Sequence, residues 1–309
     1  MDEDLFDVVI IGGGPAGLSA AIYASRMGMK TLVLESLIVG GRAVYAALIE
    51  NFPGFPDGIK GAELTKRMVE QAKKFGTDIR SPEEVLNLAL SGRVKTTTTR
   101  SGRHKSVGVI IATGTQRKKL MVPGETEFLG SGVSYCAVCD GPLFKGKEVA
   151  VIGSGQEAFE DAMYLSSFSK KVTVITHSEE IEAEKSLVER SKESKNTEIL
   201  VGEVKSINGD GFVKSATVLD PNRKMKIEFP LDGVFIAIGG VPMTSLFMKA
   251  GIVIDERGCI KIDRRQSTNI EGVFAAGDCT CGGMQIVTAV GEGARAAMQT
   301  YKYAKRTKR

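Results

Sequence analysis

Two periods of hydrophobic and polar positions alternate along this chain. Residues 7–36, "DVVIIGGGPAGLSAAIYASRMGMKTLVLES", open with an almost continuous apolar run. A glycine cluster follows, then small and apolar residues at helical spacing, then a second β-rich run. That order predicts strand, tight loop, helix and strand. Residues 148–177, "EVAVIGSGQEAFEDAMYLSSFSKKVTVITH", repeat it without a gap at an offset of 141 residues. One βαβ unit is used twice. The runs "VGVIIATGT" (107–115), "DGVFIAIGG" (232–240) and "IEGVFAAGDC" (270–279) read as strands ending in small residues, where a sheet can run close to a ligand. "IVTAVGEGARAAMQTYKYAK" (286–305) has helical periodicity and is expected to seal the first unit from the far end of the chain. "SGRVKTTTTRSGRHKS" (91–106) reads as an exposed hairpin with a basic, threonine-rich strand.

Both glycine loops have the form of a dinucleotide-binding turn, so the fold class is α/β with two Rossmann-like domains. In the first copy Gly12 makes the tight turn, Gly14 lets the backbone approach a pyrophosphate and Gly17 lets the helix pack against the strand. Free N–H groups at the helix start would hold the phosphate charge. Glu35, 23 residues after Gly12, is placed to accept hydrogen bonds from an adenosine ribose. The second copy keeps Gly153, Gly155 and the small Ala158, but Thr176 stands where the first has Glu35. Asp278, at the carboxyl end of the 270–279 strand, is a candidate contact for a ribityl hydroxyl or a phosphate-bound water.

A length of 309 residues suits two domains, and 42% hydrophobic with 25% charged residues suits a globular protein. No apolar run reaches the roughly 18–20 residues a membrane span needs, and the acidic opening "MDEDLFD" is unlike a secretory signal, which points to the cytoplasm. The net charge of +4 gathers partly in the tail "YKYAKRTKR", and no basic stripe with interleaved aromatics suggests nucleic acid. His104 and His177, the two histidines, make histidine-rich zinc sites and Ser-His-Asp hydrolysis poor candidates.

Cys136 and Cys139 occur in "SYCAVCDG", where residues three apart share a helix face and can close a disulfide. A helix start at Cys136 would favour its thiolate, and the adjacent Asp140 is positioned to shuttle a proton. Half of a zinc site and a pair of inert buried thiols are the alternatives to a redox-active disulfide. Cys279 and Cys281 read as packing or incidental thiols, with a second redox pair as the minority reading; Cys259 has no assigned role.

"GGGPAG", "GG" at 40–41, "ENFPGF" at 50–55, "ATG" at 112–114, "CAVCDG" and "FAAGD" occur in an order that resembles the low-molecular-weight thioredoxin reductases, over nearly the whole chain. These are class II FAD-dependent pyridine nucleotide-disulfide oxidoreductases. The resemblance implies two Rossmann-like domains of three-layer ββα form, the second inserted in the first. Residues 1–117 and 245–309 would form the FAD-binding domain, and residues 118–244 the nucleotide-binding-like domain that carries the CxxC. It implies FAD contacts at Gly12, Gly14, Pro15, Ala16, Gly17, Glu35, Gly40, Gly41, Asn51, Thr113, Gly114, Asp278, Gln285 and Ile286. Arg42 joins them in place of the family's usual glutamine. It further implies a homodimer, a thioredoxin-like partner, Cys139 facing the flavin, Cys136 attacking the partner disulfide, and hinges near Thr115–Pro123 and Gly240–Ser245.

One departure matters. NADPH-dependent members carry HRRxxxR at the end of the second unit's β-run, where this chain has Thr176, His177, Ser178, Glu179, Glu180, Ile181 and Glu182. Every arginine is gone, and Glu184 adds a fourth carboxylate to the stretch. Carboxylates there repel a 2′-phosphate by on the order of 1–4 kcal/mol per pair at about 4 Å. NADPH is therefore expected to be a poor donor. NADH is the alternative if Glu179 or Glu180 bends back to the ribose; a reduced deazaflavin or a ferredoxin would bypass the second loop altogether. An NADH oxidase, a peroxiredoxin-linked reductase or a flavin oxidoreductase with another acceptor would share the fold.

Overall fold

Strand β1 (Leu5–Ile11) is apolar at nearly every position because both of its faces are covered. It leads through Gly12–Gly14 into α1 (Pro15–Arg26) and then into β2 (Thr31–Leu34), which pairs parallel to β1 with Ile11 opposite Leu34. The structure, a computed structural model, describes residues 5–220 and 225–307. It divides into two units, residues 1–116 with 241–309 and residues 117–240. Methionine to aspartate at positions 1–4, much of the acidic opening, and the last two basic residues lie outside the described residues.

In the first unit α2 (Gly61–Lys74) buries Leu64, Met68 and Ala72, one per turn, and leads to β3 (Asp78–Arg80). Strands β4 (Val85–Ala89), β5 (Lys95–Thr99) and β6 (Arg103–Ile111) form an antiparallel meander, and β6 also runs parallel to β1. The sheet order is β3-β2-β1-β6-β5-β4. The 91–106 stretch is a hairpin as expected, but only one of its faces and its tips are exposed. Lys95, Thr97, Thr99, His104 and Ser106 are buried on one face, because alternate residues of β5 and β6 point inward. The Lys95 ammonium is accommodated by donating to Gly92 O at 2.8 Å and Tyr303 Oη at 3.1 Å while lying over the Tyr303 ring. Strand β7 (Thr115–Arg117) then leads out of this unit.

The second unit holds β8 (Val133–Ser134), α3 (Ala137–Asp140), β9 (Glu148–Ile152), α4 (Gln156–Ser166), β10 (Lys171–Thr176), α5 (Lys185–Glu193) and β11 (Thr197–Val201). After these come a three-stranded antiparallel meander, β12 (Glu203–Asp210), β13 (Phe212–Asp220) and β14 (Met225–Pro230), and then β15 (Gly233–Ile236). The parallel sheet has the order β11-β10-β9-β15-β8. Val174 and Phe235 pack with Phe159 and Leu165 of α4 on one face. Their neighbours Ile175 and Ile236 pack with Val204 and Val218 of the meander on the other. Alternation along each strand thus fills both interfaces of a three-layer ββα arrangement. Strand β16 (Gly240–Pro242), which pairs with β7, returns the chain to the first unit. There α6 (Ser245–Lys249), β17 (Val273–Ala275) and α7 (Ile286–Thr307) complete it. β17 pairs parallel with β6, and α7 packs on α1, where a Cβ on Gly293 would lie 2.0 Å from Ala16 O.

The repeat persists in atomic detail. Gly12 and Gly153 both have left-handed φ, 105° and 151°. Gly12 N donates to Leu34 O at 2.8 Å and Gly153 N to Ile175 O at 3.0 Å. A Cβ on Gly12 would sit 2.3 Å from Ala112 O, and one on Gly153 would sit 2.1 Å from Ala237 O. Gly17 is equally tight, with 1.9 Å between its notional Cβ and Gly12 O. Gly17→Ala is therefore expected to cost about 3 kcal/mol by forcing the helix off the strand. Chemical denaturation of the apoprotein measures this, and an unchanged midpoint would contradict the packing account.

Candidate active-site residues

The carboxyl ends of β1, β2, β6 and β17 gather one set of site residues in the first unit. Gly14 caps the start of α1 with Pro15 behind it, and the space a Cβ would take on Gly14 is empty. The helix N-terminus therefore faces an open backbone cradle. Gly40 N donates to Gly13 O at 2.8 Å, and a Cβ on Gly41 would stand 3.1 Å from Gly14 Cα, so the two glycine pairs lie against each other. The Glu35 carboxylate accepts from Gly13 N at 2.7 Å and from Leu37 N at 2.8 Å, which fixes it at the lip of the same loop. Asn51 Nδ2 donates to Gln285 Oε1 at 3.1 Å, joining residues far apart in sequence, and Ile286 follows as the first residue of α7. Thr113 Oγ1 donates to Met243 O at 3.2 Å, and Gly114, with φ 62°, accepts from Met243 N. Arg42 Nη1 donates to Thr115 Oγ1 at 2.8 Å.

Burial raises the Asp278 carboxyl above its ordinary range, with the Arg42 guanidinium opposing. Glu292, absent from the sequence expectations, supports the same loop. It accepts from Gly277 N at 2.7 Å and Thr280 Oγ1 at 3.3 Å, and burial again raises its carboxyl. Its only sequence signal is an acid between two glycines inside a helix. The open cradle, the acid at the end of β2 and the free helix start fit an FAD. The residues that would hold it are the glycines and Glu35 at the adenosine and phosphate end, with Asp278 and its neighbours beyond.

In the second unit Cys136 and Cys139 form a disulfide. Cys136 precedes the single helical turn of α3, and its Sγ accepts from Cys139 N at 3.2 Å. Asp140 Oδ2 accepts from Ser134 Oγ at 2.6 Å, so a hydroxyl steadies the acid beside the pair. Tyr135 donates to Glu125, which also accepts from Leu120 N at 2.8 Å and Met121 N at 2.6 Å. Burial works to raise the Glu125 carboxyl, but these donors outweigh it and hold it below the usual range. Burial and the facing Glu125 push the Tyr135 hydroxyl well up.

The second glycine loop has its backbone intact: Gly155 caps α4 with open space at its α-carbon, and Ala158 is buried beneath. Thr176 is buried, and its hydroxyl has no hydrogen-bond partner among the described residues. The acidic segment after it folds back. Glu182 N donates to Ser154 O at 2.8 Å and Glu184 N to Gln156 Oε1 at 3.0 Å. Glu179, Glu180, Glu182 and Glu184 are exposed. A cavity of about 380 Å³ lies on the meander side, lined by Ile152, Gly153, Ile175, His177, Gly202 and Ile238 among others.

The family model for pyridine nucleotide-disulphide oxidoreductase matches residues 6–293. The chain belongs to this family. A thioredoxin reductase of Bacillus subtilis is 41% identical over 305 residues, 98% of this chain and 96% of that one. A crystal structure of Lactococcus lactis thioredoxin reductase in the FR conformation superposes with a TM-score of 0.94 at 37% identity, over 97% of this chain and 99% of that one. A ferredoxin-flavin thioredoxin reductase of Clostridium acetobutylicum matches with a TM-score of 0.54 at 32% identity, over 98% and 99%. Within its family the chain is of the low-molecular-weight thioredoxin reductase type, a flavin-dependent oxidoreductase with a redox-active cysteine pair.

One cysteine reading is corrected. Cys281 is not an incidental thiol, for it is disulfide-bonded to Cys259, and the pair is not Cys279 with Cys281. Cys279 is the buried free thiol; burial pushes it up to about 12, and its Sγ donates to Ala276 O at 3.3 Å. Sequence adjacency misled because the two residues point apart, one into the core and one toward the 254–260 turn. Among the described residues no helix is long and apolar enough to cross a membrane, and no group of side chains could hold a metal ion.

The raised Asp278 carboxyl has a pH consequence. Its stabilising share is complete below its unfolded value of 3.8 and is lost as pH rises through the raised value. Near pH 8 the Asp278→Asn apoprotein is expected to melt above wild type, with the advantage vanishing toward about pH 4. Parallel melting curves would contradict the assignment.

Proposed function

We propose that this protein reduces the disulfide of a thioredoxin-like partner with electrons that do not come from NADPH. The observation that carries the donor reading is the acidic segment hydrogen-bonded onto the second glycine loop, with Glu182 anchored to Ser154 and Glu184 to Gln156. The three positions that carry arginine in NADPH-dependent members are His177, Ser178 and Glu182 here, and exposed Glu179, Glu180 and Glu184 lie around them. Bound FAD supplies a two-electron carrier between the donor and the Cys136–Cys139 bond. A relative whose name couples ferredoxin to flavin supports a donor of that kind, with a reduced deazaflavin as the other candidate.

The remaining steps belong to the chain's own residues. With the disulfide opened, the Cys136 thiolate attacks one partner sulfur, forming a mixed disulfide as the partner's S–S bond breaks. Cys139 then attacks Cys136, restoring the internal bond and releasing the second partner thiol. Asp140, steadied by Ser134, protonates the departing thiolate. β7 and β16, where the chain passes between the units, would act as the hinge, and the working form would be a homodimer. The second reading is NADH, favoured by the intact Gly153 and Gly155 backbone and the nearby cavity.

Anaerobic stopped-flow with each donor tests this. NADPH at micromolar concentration is expected to bleach the flavin slowly, and His177→Arg/Ser178→Arg/Glu182→Arg is expected to accelerate that reaction at least about tenfold. Rapid bleaching of the wild type by NADPH would overturn the donor reading. Cys136→Ser and Cys139→Ser should each abolish insulin-disulfide reduction, a loss of more than about a hundredfold. Unchanged turnover in both would remove the disulfide mechanism.

A further inference from the structure

We infer that Cys259–Cys281 is a second thiol–disulfide exchange site, one that takes a dithiol and controls how firmly the first unit holds its flavin. The bond joins two segments of that unit. Cys259 is 1% exposed and lies in a turn closed by Asp255 N donating to Cys259 O at 2.8 Å and Cys259 N donating to the Asp255 carboxylate at 2.9 Å. Ile260 N donates to Cys279 O at 2.8 Å, so the turn already lies along the strand end that carries Asp278. Cys281 is partly exposed and opens the exposed run Gly282–Met284, which leads directly to Gln285 and Ile286.

That run has an uncommon backbone. Cys281 and Met284 have left-handed φ of 57° and 53°, a conformation side chains disfavour, and Gly283 between them has φ 143°. Such residues persist only when their surroundings hold them. Here the disulfide to Cys259 and the Cys281 N to Asp278 O hydrogen bond at 3.1 Å hold the front of the strap, while its far end is held by the Asn51–Gln285 contact and by Gln285 O accepting from Thr288 Oγ1 at 2.8 Å and Ala289 N at 3.0 Å. The disulfide is the one covalent member of that set, and it staples a strained strap to a rigid turn.

The exchange balances without another reactant. A dithiol sulfur attacks Cys281 Sγ, the more accessible end, forming a mixed disulfide as the Cys259–Cys281 bond breaks. Cys259 leaves as a thiolate and takes up the proton lost by the attacking thiol. The second thiol of the reagent then displaces Cys281, so the reagent is oxidised and the protein gains two thiols. Cys279 takes no part, since burial holds it as an inert thiol. The strap Cys281–Met284 is then free to leave its left-handed conformation, which loosens the segment between Asp278 and Gln285 while α7 still holds the Gln285 carbonyl.

The test uses the FAD-loaded full chain bearing Cys136→Ser/Cys139→Ser, so that the active-site pair contributes nothing and the outcome is independent of the donor. Before treatment, alkylation and mass spectrometry should find Cys259 and Cys281 unlabelled; after dithiothreitol both should be labelled. Release of FAD, followed by its fluorescence, should then be about tenfold faster and return on reoxidation, and in the apoprotein reduction should expose the 281–285 segment to limited proteolysis. The same chain with Cys281→Ala added should release FAD fast with or without dithiol. Labelled thiols in the untreated protein, or opening of the bond with no change in FAD release, would overturn the inference. Should the Cys281→Ala form not fold, the reduction and reoxidation arm decides alone.

Discussion

The fold depends on a distance of closest approach. At residues 12 and 153 a glycine backbone lies against the carbonyl of a neighbouring strand so closely that a side chain would fall 2.3 and 2.1 Å from it. That contact lets strand, loop and helix fit in one compact turn, and it aims the first turn of the helix at whatever lies beyond the sheet. The residues proposed to hold the flavin gather around the first of these turns, and the acidic segment folds back onto the second.

Two copies of one backbone have diverged through a few side chains. In the first, Glu35 holds the loop from the end of β2, and Asp278 with Glu292 brings buried acid to the end of β17. In the second, Thr176 takes the place of Glu35, and the following carboxylates turn their backbone onto the loop. On the proposed donor reading, the backbone geometry of the dinucleotide turn is kept without the cations that would hold a phosphorylated one. The same unit still carries the Cys136–Cys139 bond on a single helical turn, steadied through Ser134 and Asp140. On that reading the second unit serves chiefly to present sulfur.

Much of this was legible in the sequence because glycine and apolar runs have local causes. The repeat at an offset of 141 residues, both βαβ units, the closing helix over 286–305 and the CxxC bond follow from period and spacing. What stayed hidden depends on long-range packing. Cys259 and Cys281 are joined across a 22-residue separation, which no local pattern marks. The threonine-rich hairpin looked exposed by composition, yet Tyr303 of the last helix gives buried Lys95 a partner and turns that strand inward. Glu292 was missed for the same reason, since the donors to its carboxylate, Gly277 N and Thr280 Oγ1, come from a loop 12 to 15 residues away.

The central claim is that one of the two glycine turns holds a dinucleotide and the other has lost its hold on a 2′-phosphate. Equilibrium calorimetry of the apoprotein against FAD and against 2′,5′-ADP measures both at once. The account predicts saturable binding of one FAD per chain and no saturable binding of 2′,5′-ADP. Micromolar binding of 2′,5′-ADP, or failure of the folded apoprotein to take up FAD, would contradict it.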